Sequence, residues 1–286
     1  GPSSAALSPR PELVLVHDCI YRHFPRYMGR RWVRRRLLRR QERHAAKATA
    51  VVTESEFSAR DVSERLEIPR DRISVIPAWL PEEYTPEGGH AAIEAVRAAY
   101  NLPQRFWLYV GGYDYRKNVE ALVDAYGQLR SRRRCPPLVL AGNVPTDTTK
   151  PVCDVYGALR RNNLDASAVK TIGFVDDAHM PGLYAAAELF VYPSLFEGFG
   201  LPPLEAMGCG CPAVVADDTS LREVVKDEAY RFTPSGGDDL FRLLSKATEE
   251  PLPMNPSFRR EEYNEATAIE QHWDVIAALA ERKGGG

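Results

Sequence analysis

The sequence has no surplus of either charge. Its 37 lysines and arginines face 39 aspartates and glutamates in 286 residues, a net of −2. General nucleic-acid binders are usually basic overall, so the balance speaks against that class and no nucleic-acid partner is expected. Long apolar runs are lacking too. None approaches 18 residues, so no membrane span is expected. No signal-peptide pattern is read, and a cytoplasmic location is expected. Cysteine is scarce and unpatterned: Cys19, Cys135, Cys153, Cys209 and Cys211 form an odd set with no Cys-x-x-Cys pair. Cys209-Gly-Cys211 is too tight for a common zinc site, so buried reduced thiols are expected. His-Glu-x-x-His and Gly-x4-Gly-Lys-Ser/Thr are both missing, which removes two familiar metal and phosphate signatures. There is no repeat at 20–50 residues. What remains is a chain of ordinary globular composition, which excludes a disordered tail, a collagen-like repeat and a coiled-coil rod. At this length it can bury a core without disulfides or a metal. Gly1-Pro2 reads as a cleavage scar and Gly284–Gly286 as an appended tail, and both are set aside.

Short apolar runs alternate with segments of helical spacing. Strands are expected at Pro11–Val16, Ala50–Thr53 and Arg72–Pro77, with helices over 30–47 and 56–66. Ser55 reads as a helix N-cap. Residues 81–103 look like a linker with one short helix. A second series follows, with strands at Phe106–Val110, Pro137–Ala141, Val169–Ile172, Leu189–Tyr192 and Ala213–Ala216. Helices are expected over 118–130, 151–163 and 178–187, near Pro202 and Ser220, and over 258–283. Strand–helix alternation implies parallel pairing with right-handed crossovers, and five such units form a doubly wound domain. Three strands are too few for the first series to be an independent domain of that kind.

The strongest chemical signal is Pro193-Ser-Leu-Phe-Glu-Gly-Phe-Gly-Leu-Pro-Pro-Leu-Glu-Ala-Met-Gly208. A strand ends at Tyr192, a loop with two glycines follows, and proline falls where a first helical turn starts. The N–H groups of Gly198, Phe199, Gly200 and Leu201 are then expected to point outward at a helix N-terminus. Such a terminus suits a diphosphate. Glu197 precedes the loop and Glu205 is expected in the first turn. Carboxylates accept paired hydrogen bonds from a sugar diol. A second signal is Gly111-Gly112-Tyr113-Asp114-Tyr115-Arg116-Lys117-Asn118, where glycines allow close approach and two cations reach the same crevice. A third is His17-Asp18, at the C-terminal end of a strand, where doubly wound folds bind ligands. A histidine there is as readily structural. Ala141-Gly142-Asn143 and Ile172-Gly173-Phe174 also end strands with glycine.

Glu-x7-Glu followed by Ala-Met-Gly-x-Gly-x-Pro resembles the retaining glycosyltransferases of the two-domain GT-B fold, family 4. The resemblance runs from His17 to the last helix. It implies an α/β fold of two Rossmann-type parallel-sheet domains, the N-terminal one incomplete. The expected division is 1–100 for a partial acceptor-side domain and linker, and 101–265 for the nucleotide-sugar donor domain. Residues 266–286 would form a C-terminal helix packing back toward the first domain, and a tail. The resemblance further implies Glu197 on the transferred sugar and Glu205 on the ribose hydroxyls. Arg116 and Lys117 would bind the donor phosphates. Gly111, Gly112 and the Gly198–Leu201 amides would line the donor site, with Asn143 and Phe174 near the base. His17, with Asp18 secondary, is implied near the donor sugar through Val16-His17-Asp18 and Phe24-Pro25-x-Tyr27. No Asp-x-Asp is present, so a metal-free reaction with no cofactor is expected. The expected activity is retaining transfer of a hexose, mannose or glucose in type, from a GDP- or UDP-sugar. The acceptor would be a glycan, a lipid-linked molecule or a small molecule. The competing reading is a nucleotide-sugar binding module or a donor domain without transfer; a third is an epimerase or phosphorylase of like architecture.

Arg30, Arg31, Arg34, Arg35, Arg36, Arg39, Arg40 and Arg43 fall in one expected helix, with Trp32, Val33, Leu37 and Leu38 between them. Three readings stay open: a solvated arginine face, an interfacial helix on anionic lipid at the inner face of the membrane, and a patch for an anionic acceptor.

Overall fold

Strands and helices alternate along the chain, and every pairing between strands is parallel. The computed structural model describes residues 11–25, 32–147, 149–234 and 237–281, with the side chains of residues 32–35 and 237 left out. Contacts divide the chain into two units. One runs to Pro77 and resumes at Ala266; the other is Ala78–Glu265.

The first unit contains β1 (Leu13–Leu15), α1 (Ile20–His23), α2 (Trp32–Lys47), β2 (Ala50–Thr53), α3 (Glu56–Leu66) and β3 (Ile73–Val75). Its sheet order is β1-β2-β3. Every residue of the central strand β2 is buried, because both faces are covered. On one side Val51 packs with Ala45, Ala59 and Val62. On the other, Val52 and Ile76 meet Ala268 of the C-terminal helix Glu265–Glu281. Ser55 starts α3 as read from the sequence: its Oγ accepts from the Ser58 N–H at 3.0 Å, satisfying one of the orphan donors of a helix start. On α2, Arg36, Arg39, Arg40 and Arg43 are exposed, and Leu37 is 55% exposed between them. Tyr27, Arg30 and Arg31 lie outside the described residues, as do Gly1-Pro2, Gly284–Gly286 and the side chains of Trp32, Val33, Arg34 and Arg35. Among the described residues no helix is long and apolar enough to cross a membrane.

The second unit contains α4 (Pro86–Tyr100), β4 (Trp107–Val110), α5 (Val119–Arg132), β5 (Leu138–Ala141), α6 (Val155–Arg161), β6 (Val169–Gly173) and α7 (Met180–Ala186). It continues with β7 (Leu189–Tyr192), α8 (Leu201–Gly208), β8 (Ala213–Ala216), α9 (Leu221–Val224), β9 (Arg231–Phe232) and α10 (Gly237–Glu249). The sheet order is β6-β5-β4-β7-β8-β9. Strands β5, β7 and β8 are buried at every position. A parallel sheet is covered on both faces, so its strands read as unbroken apolar runs. The direction of strand addition reverses between β4 and β7. The loops after these two strands therefore flank the switch point, where open α/β sheets bind ligands. The α/β class with two parallel-sheet units, the first showing three strands among the described residues, is the one expected.

Residues 81–103 depart from the expected linker. They hold a helix of 15 residues, α4, capped by Thr85 Oγ1, which accepts from the Gly88 N–H at 3.0 Å. This helix belongs to the second unit, so the division falls after Pro77 rather than at residue 100. Small residues cause this. A Cβ on Gly89 would lie 2.6 Å from Ala185 Cβ, and one on Gly182 would lie 2.8 Å from Ala92 Cβ. The bare glycines let α4 and α7 close to contact. Strand β9 and helix α10 were not expected at all. The five cysteines are buried free thiols.

Candidate functional site

Strand β7 ends at Tyr192, and its last residues set the path of the loop toward α8. Gly200 is the N-cap of α8, at φ +122°. A Cβ there would sit 2.9 Å from Leu221 Cδ2. The conformation requires glycine, and a side chain there would also have to displace the Leu221 methyl. Pro202 lies in the first turn of α8, where its missing N–H costs nothing.

Glu197 is the hub of this loop. Its Oε1 accepts from Arg116 at 2.8 Å, Lys117 Nζ at 2.6 Å, the Tyr192 hydroxyl at 3.0 Å and the Ser194 hydroxyl at 2.6 Å. Lys117 Nζ also donates to the Tyr192 oxygen at 2.5 Å. Arg116 reaches the Phe196 carbonyl at 2.9 Å and pairs with Asp114 at 3.2 Å. The side chains of Arg116, Lys117 and Glu197 are 13%, 10% and 13% exposed. Ion pairs this dry are strong only with close geometry and good hydrogen bonding; here Glu197 Oε1 has both, with four donors within 3.0 Å. The sequence placed the two cations in the same crevice; in the structure both lie on the Glu197 carboxylate. The physical reason is that a carboxylate this buried needs countercharge.

Burial works against the charged forms of both partners. It lowers the Lys117 ammonium below its ordinary value, and Glu197 only partly opposes that. Burial would likewise raise the Glu197 carboxyl. Lys117 and Arg116 outweigh it and hold the group below the ordinary 4.5. A depressed carboxylate contributes stability that is complete above its unfolded value and is lost as pH falls through the folded one. The Tm difference between wild type and Glu197→Gln should therefore be largest near neutrality and close in acid below about pH 4.3, the unfolded value. A gap independent of pH would contradict the pairing.

Glu205 does not stand in the first turn of α8, as expected, but one turn further in. Its Oε2 accepts from the buried Tyr184 hydroxyl at 2.8 Å. Burial raises its carboxyl above the ordinary range, with the Tyr184 hydrogen bond acting in the opposite sense. The position explains why it serves no helix-start role: its side chain is turned to a tyrosine.

Three glycines adjoin at the C-terminal ends of β4, β5 and β6. Gly111, Gly142 and Gly173 all have positive φ. The Gly142 N–H donates to the Gly173 carbonyl at 2.7 Å, and a Cβ on Gly142 would meet the Gly111 carbonyl oxygen at 2.3 Å. The Gly112 carbonyl accepts from the Tyr109 hydroxyl at 2.5 Å. Asn143 is exposed, and Phe174 is 71% exposed. Gly198 is buried. Phe199 is buried and packs edge-on against Tyr263, with ring centroids 6.2 Å apart, whereas Leu201 is 43% exposed. The structure thus brings Arg116, Lys117 and Glu197 together, and puts Gly111 beside the Asn143 and Phe174 loops. His17 and Asp18 follow β1 in the first unit. His17 Nδ1 lies 3.0 Å from Glu54 Oε1, and Asp18 Oδ1 accepts from the Ile20 N–H at 2.9 Å at the start of α1.

Sequence reasoning missed Tyr192, Ser194, Tyr184, Thr219 and Ser220. Tyr192 and Tyr184 carried a signal. A tyrosine in a buried apolar run needs a partner for its hydroxyl. Thr219 and Ser220 carried none.

Residues 92–266 match the model of the family described as "Glycosyl transferases group 1". Over 206 residues the chain is 35% identical to the serotype-specific mannosyltransferase WbdA of Escherichia coli, covering 70% of this chain and 24% of that protein. Over 204 residues it is 35% identical to the O-antigen chain mannosyltransferase B of Escherichia coli, covering 71% of this chain and 52% of that one. The chain thus spans about a quarter of the first relative and about half of the second. Among solved structures, Anabaena Alr3699/HepE in complex with UDP and glucose aligns at TM-score 0.75 and 21% identity, over 94% of this chain and 72% of that one. Sucrose-phosphate synthase from Thermosynechococcus elongatus aligns at 0.74 and 23%, over 94% and 68%. At these identities the likeness is one of fold, and the fold is GT-B.

Proposed function

Since the chain belongs to the group 1 glycosyl transferases, we propose that it moves a hexose from a nucleoside-diphosphate sugar to an acceptor hydroxyl, with retention and without a metal. The observation that carries the reading is the Glu197 cluster. Four donors converge on Oε1, so Oε2 is the oxygen left to meet sugar hydroxyls. The sugar C1–O bond to phosphate breaks with oxocarbenium character, and charge grows on the leaving diphosphate. Arg116, Lys117 and the N-terminus of α8 stabilise that charge where it develops. The cluster holds two cations against Glu197 and Asp114, so the backbone dipoles of residues 198–201 supply the excess positive field. Glu205 takes the ribose hydroxyls, and the Asn143 and Phe174 loops take the base. His17, with Asp18, acts at the sugar. The acceptor hydroxyl arrives on the face the leaving group departs from.

Two mannosyltransferase relatives and a UDP- and glucose-bound structural neighbour support a GDP-mannose- or UDP-glucose-type donor. The O-antigen relative supports a glycan or lipid-linked acceptor in polysaccharide assembly. A lipid-linked acceptor goes with a cytoplasmic site of action at the inner face of the membrane, with the exposed arginines of α2 toward the headgroups.

The test is titration with GDP, UDP and their sugar conjugates, with and without magnesium, followed by Glu205→Ala. The wild type should bind one of these diphosphates independently of magnesium. Glu205→Ala should weaken that binding about tenfold to a hundredfold, the worth of hydrogen bonds to a charged group. Unchanged affinity would remove Glu205 from the donor site. Tight donor binding with no turnover on any acceptor would favour the binding-module reading instead.

A further inference from the structure

We propose that Thr219 and Ser220, in the loop between β8 and α9, are positioning residues that fix the backbone presenting Glu197. They grip one residue from both sides. Thr219 Oγ1 accepts from the Glu197 N–H at 3.2 Å, and the Ser220 hydroxyl donates to the Glu197 carbonyl at 2.9 Å. Both residues are buried, at 9% and 0% exposure, so water offers little competition for these bonds.

The geometry of Thr219 sets it apart. Its φ is +51°, a left-handed conformation that a β-branched residue rarely takes. Asp218 Oδ1 holds it there by accepting the Thr219 N–H at 2.8 Å. Strained backbone persists where the surroundings over-determine it, and it clusters at functional sites. Here the strain turns the hydroxyl onto the Glu197 amide. Two residues on, Leu221 packs under Gly200, its Cδ2 2.9 Å from where a Cβ on Gly200 would stand. Residues 218–221 therefore form the bed on which the Glu197–Gly200 loop rests. The side-chain end of Glu197 is held by residues of the β4 and β7 loops, and Arg116 and Ser194 also hold the Phe196 carbonyl; the N–H and carbonyl of Glu197 itself are held by this loop.

The consequence is kinetic. Releasing the main-chain end lets the carboxylate pivot about its held oxygen, so Oε2 loses its aim. Small misplacements of this kind are costly to turnover. Binding of a diphosphate without a sugar does not depend on that aim. The inference rests on Glu197 facing the sugar.

The experiment uses the full chain with Thr219→Val, Thr219→Ser and Ser220→Ala. It follows amide exchange at the Pro193–Leu201 segment, kcat and KM for the donor, diphosphate affinity and Tm. Thr219→Val should speed exchange at Glu197 about tenfold and lower kcat about tenfold, the scale of one lost hydrogen bond. Diphosphate affinity should stay within about twofold. Thr219→Ser keeps the hydroxyl and should restore both exchange and kcat. Ser220→Ala is the second variant if Thr219→Val folds poorly, and should speed exchange across the same peptide. Unchanged exchange in Thr219→Val and Ser220→Ala overturns the inference, as does a Thr219→Ser loss equal to that of Thr219→Val. A wild-type chain that binds no nucleoside diphosphate defeats the proposed function separately, and the exchange result still decides the clamp.

Discussion

Glu197→Gln is expected to lower kcat for sugar transfer by about 10²–10³-fold, the scale of losing one preorganised electrostatic group. Diphosphate affinity should change only a few-fold. Glutamine is the informative replacement. Its amide oxygen can still accept from Arg116, Lys117, Tyr192 and Ser194, the four donors on Oε1. What it removes is the charge and the accepting capacity of the second oxygen. A fall in kcat with KM for the donor little changed would place Glu197 in the transition state rather than in ground-state binding. A variant that transfers sugar at the wild-type rate would remove Glu197 from the chemistry.

Lys117→Met should cost about 3–5 kcal/mol of stability, because removing one partner of a buried pair strands the other. Methionine fills similar space, so the loss is electrostatic rather than a cavity. It would leave Tyr192 without its 2.5 Å contact and Glu197 with one cation instead of two. At about 2–4 °C per kcal/mol for a chain of 150–250 residues, Tm should fall by about 10 °C. Lys150 supplies the contrast. Its ion pair with Asp147 is 3.3 Å long, but the lysine side chain is 71% exposed, and pairs open to solvent contribute little to stability. Lys150→Met should leave Tm nearly unchanged. Equal effects at the two lysines would mean that the Lys117 pair is not the dry, closely held one described.

Much of this was legible in the sequence, for identifiable reasons. Strands β5, β7 and β8 are covered on both faces, so their apolar runs stood out from the chain. The loop from Glu197 to Glu205 was readable because glycine and proline fall at positions a strand-to-helix turn requires. Helix α4 was under-read. Its Thr85-Pro86 start was present, but Gly88 and Gly89 weaken helix propensity, and the reason for Gly89 lies in α7, a segment distant in sequence. Strand β9 has only two residues, too few for any period to show. At the site, residue types marked the loops after β4 and β7 but not the pairing between them. That Arg116 and Lys117 meet Glu197 depends on β4 lying beside β7, which no local pattern encodes. Thr219 shows the limit most clearly. Its role depends on a left-handed backbone that a threonine would not be expected to adopt.

The central claim is that the Glu197 cluster and the start of α8 form a donor site. Calorimetric titration of wild type and Glu197→Gln with the diphosphate and with its sugar conjugate tests it most directly. The expected result is that the wild type distinguishes the conjugate from the bare diphosphate and that Glu197→Gln binds the diphosphate but loses the distinction. If the wild type binds neither, or if the variant distinguishes them as the wild type does, the site is elsewhere.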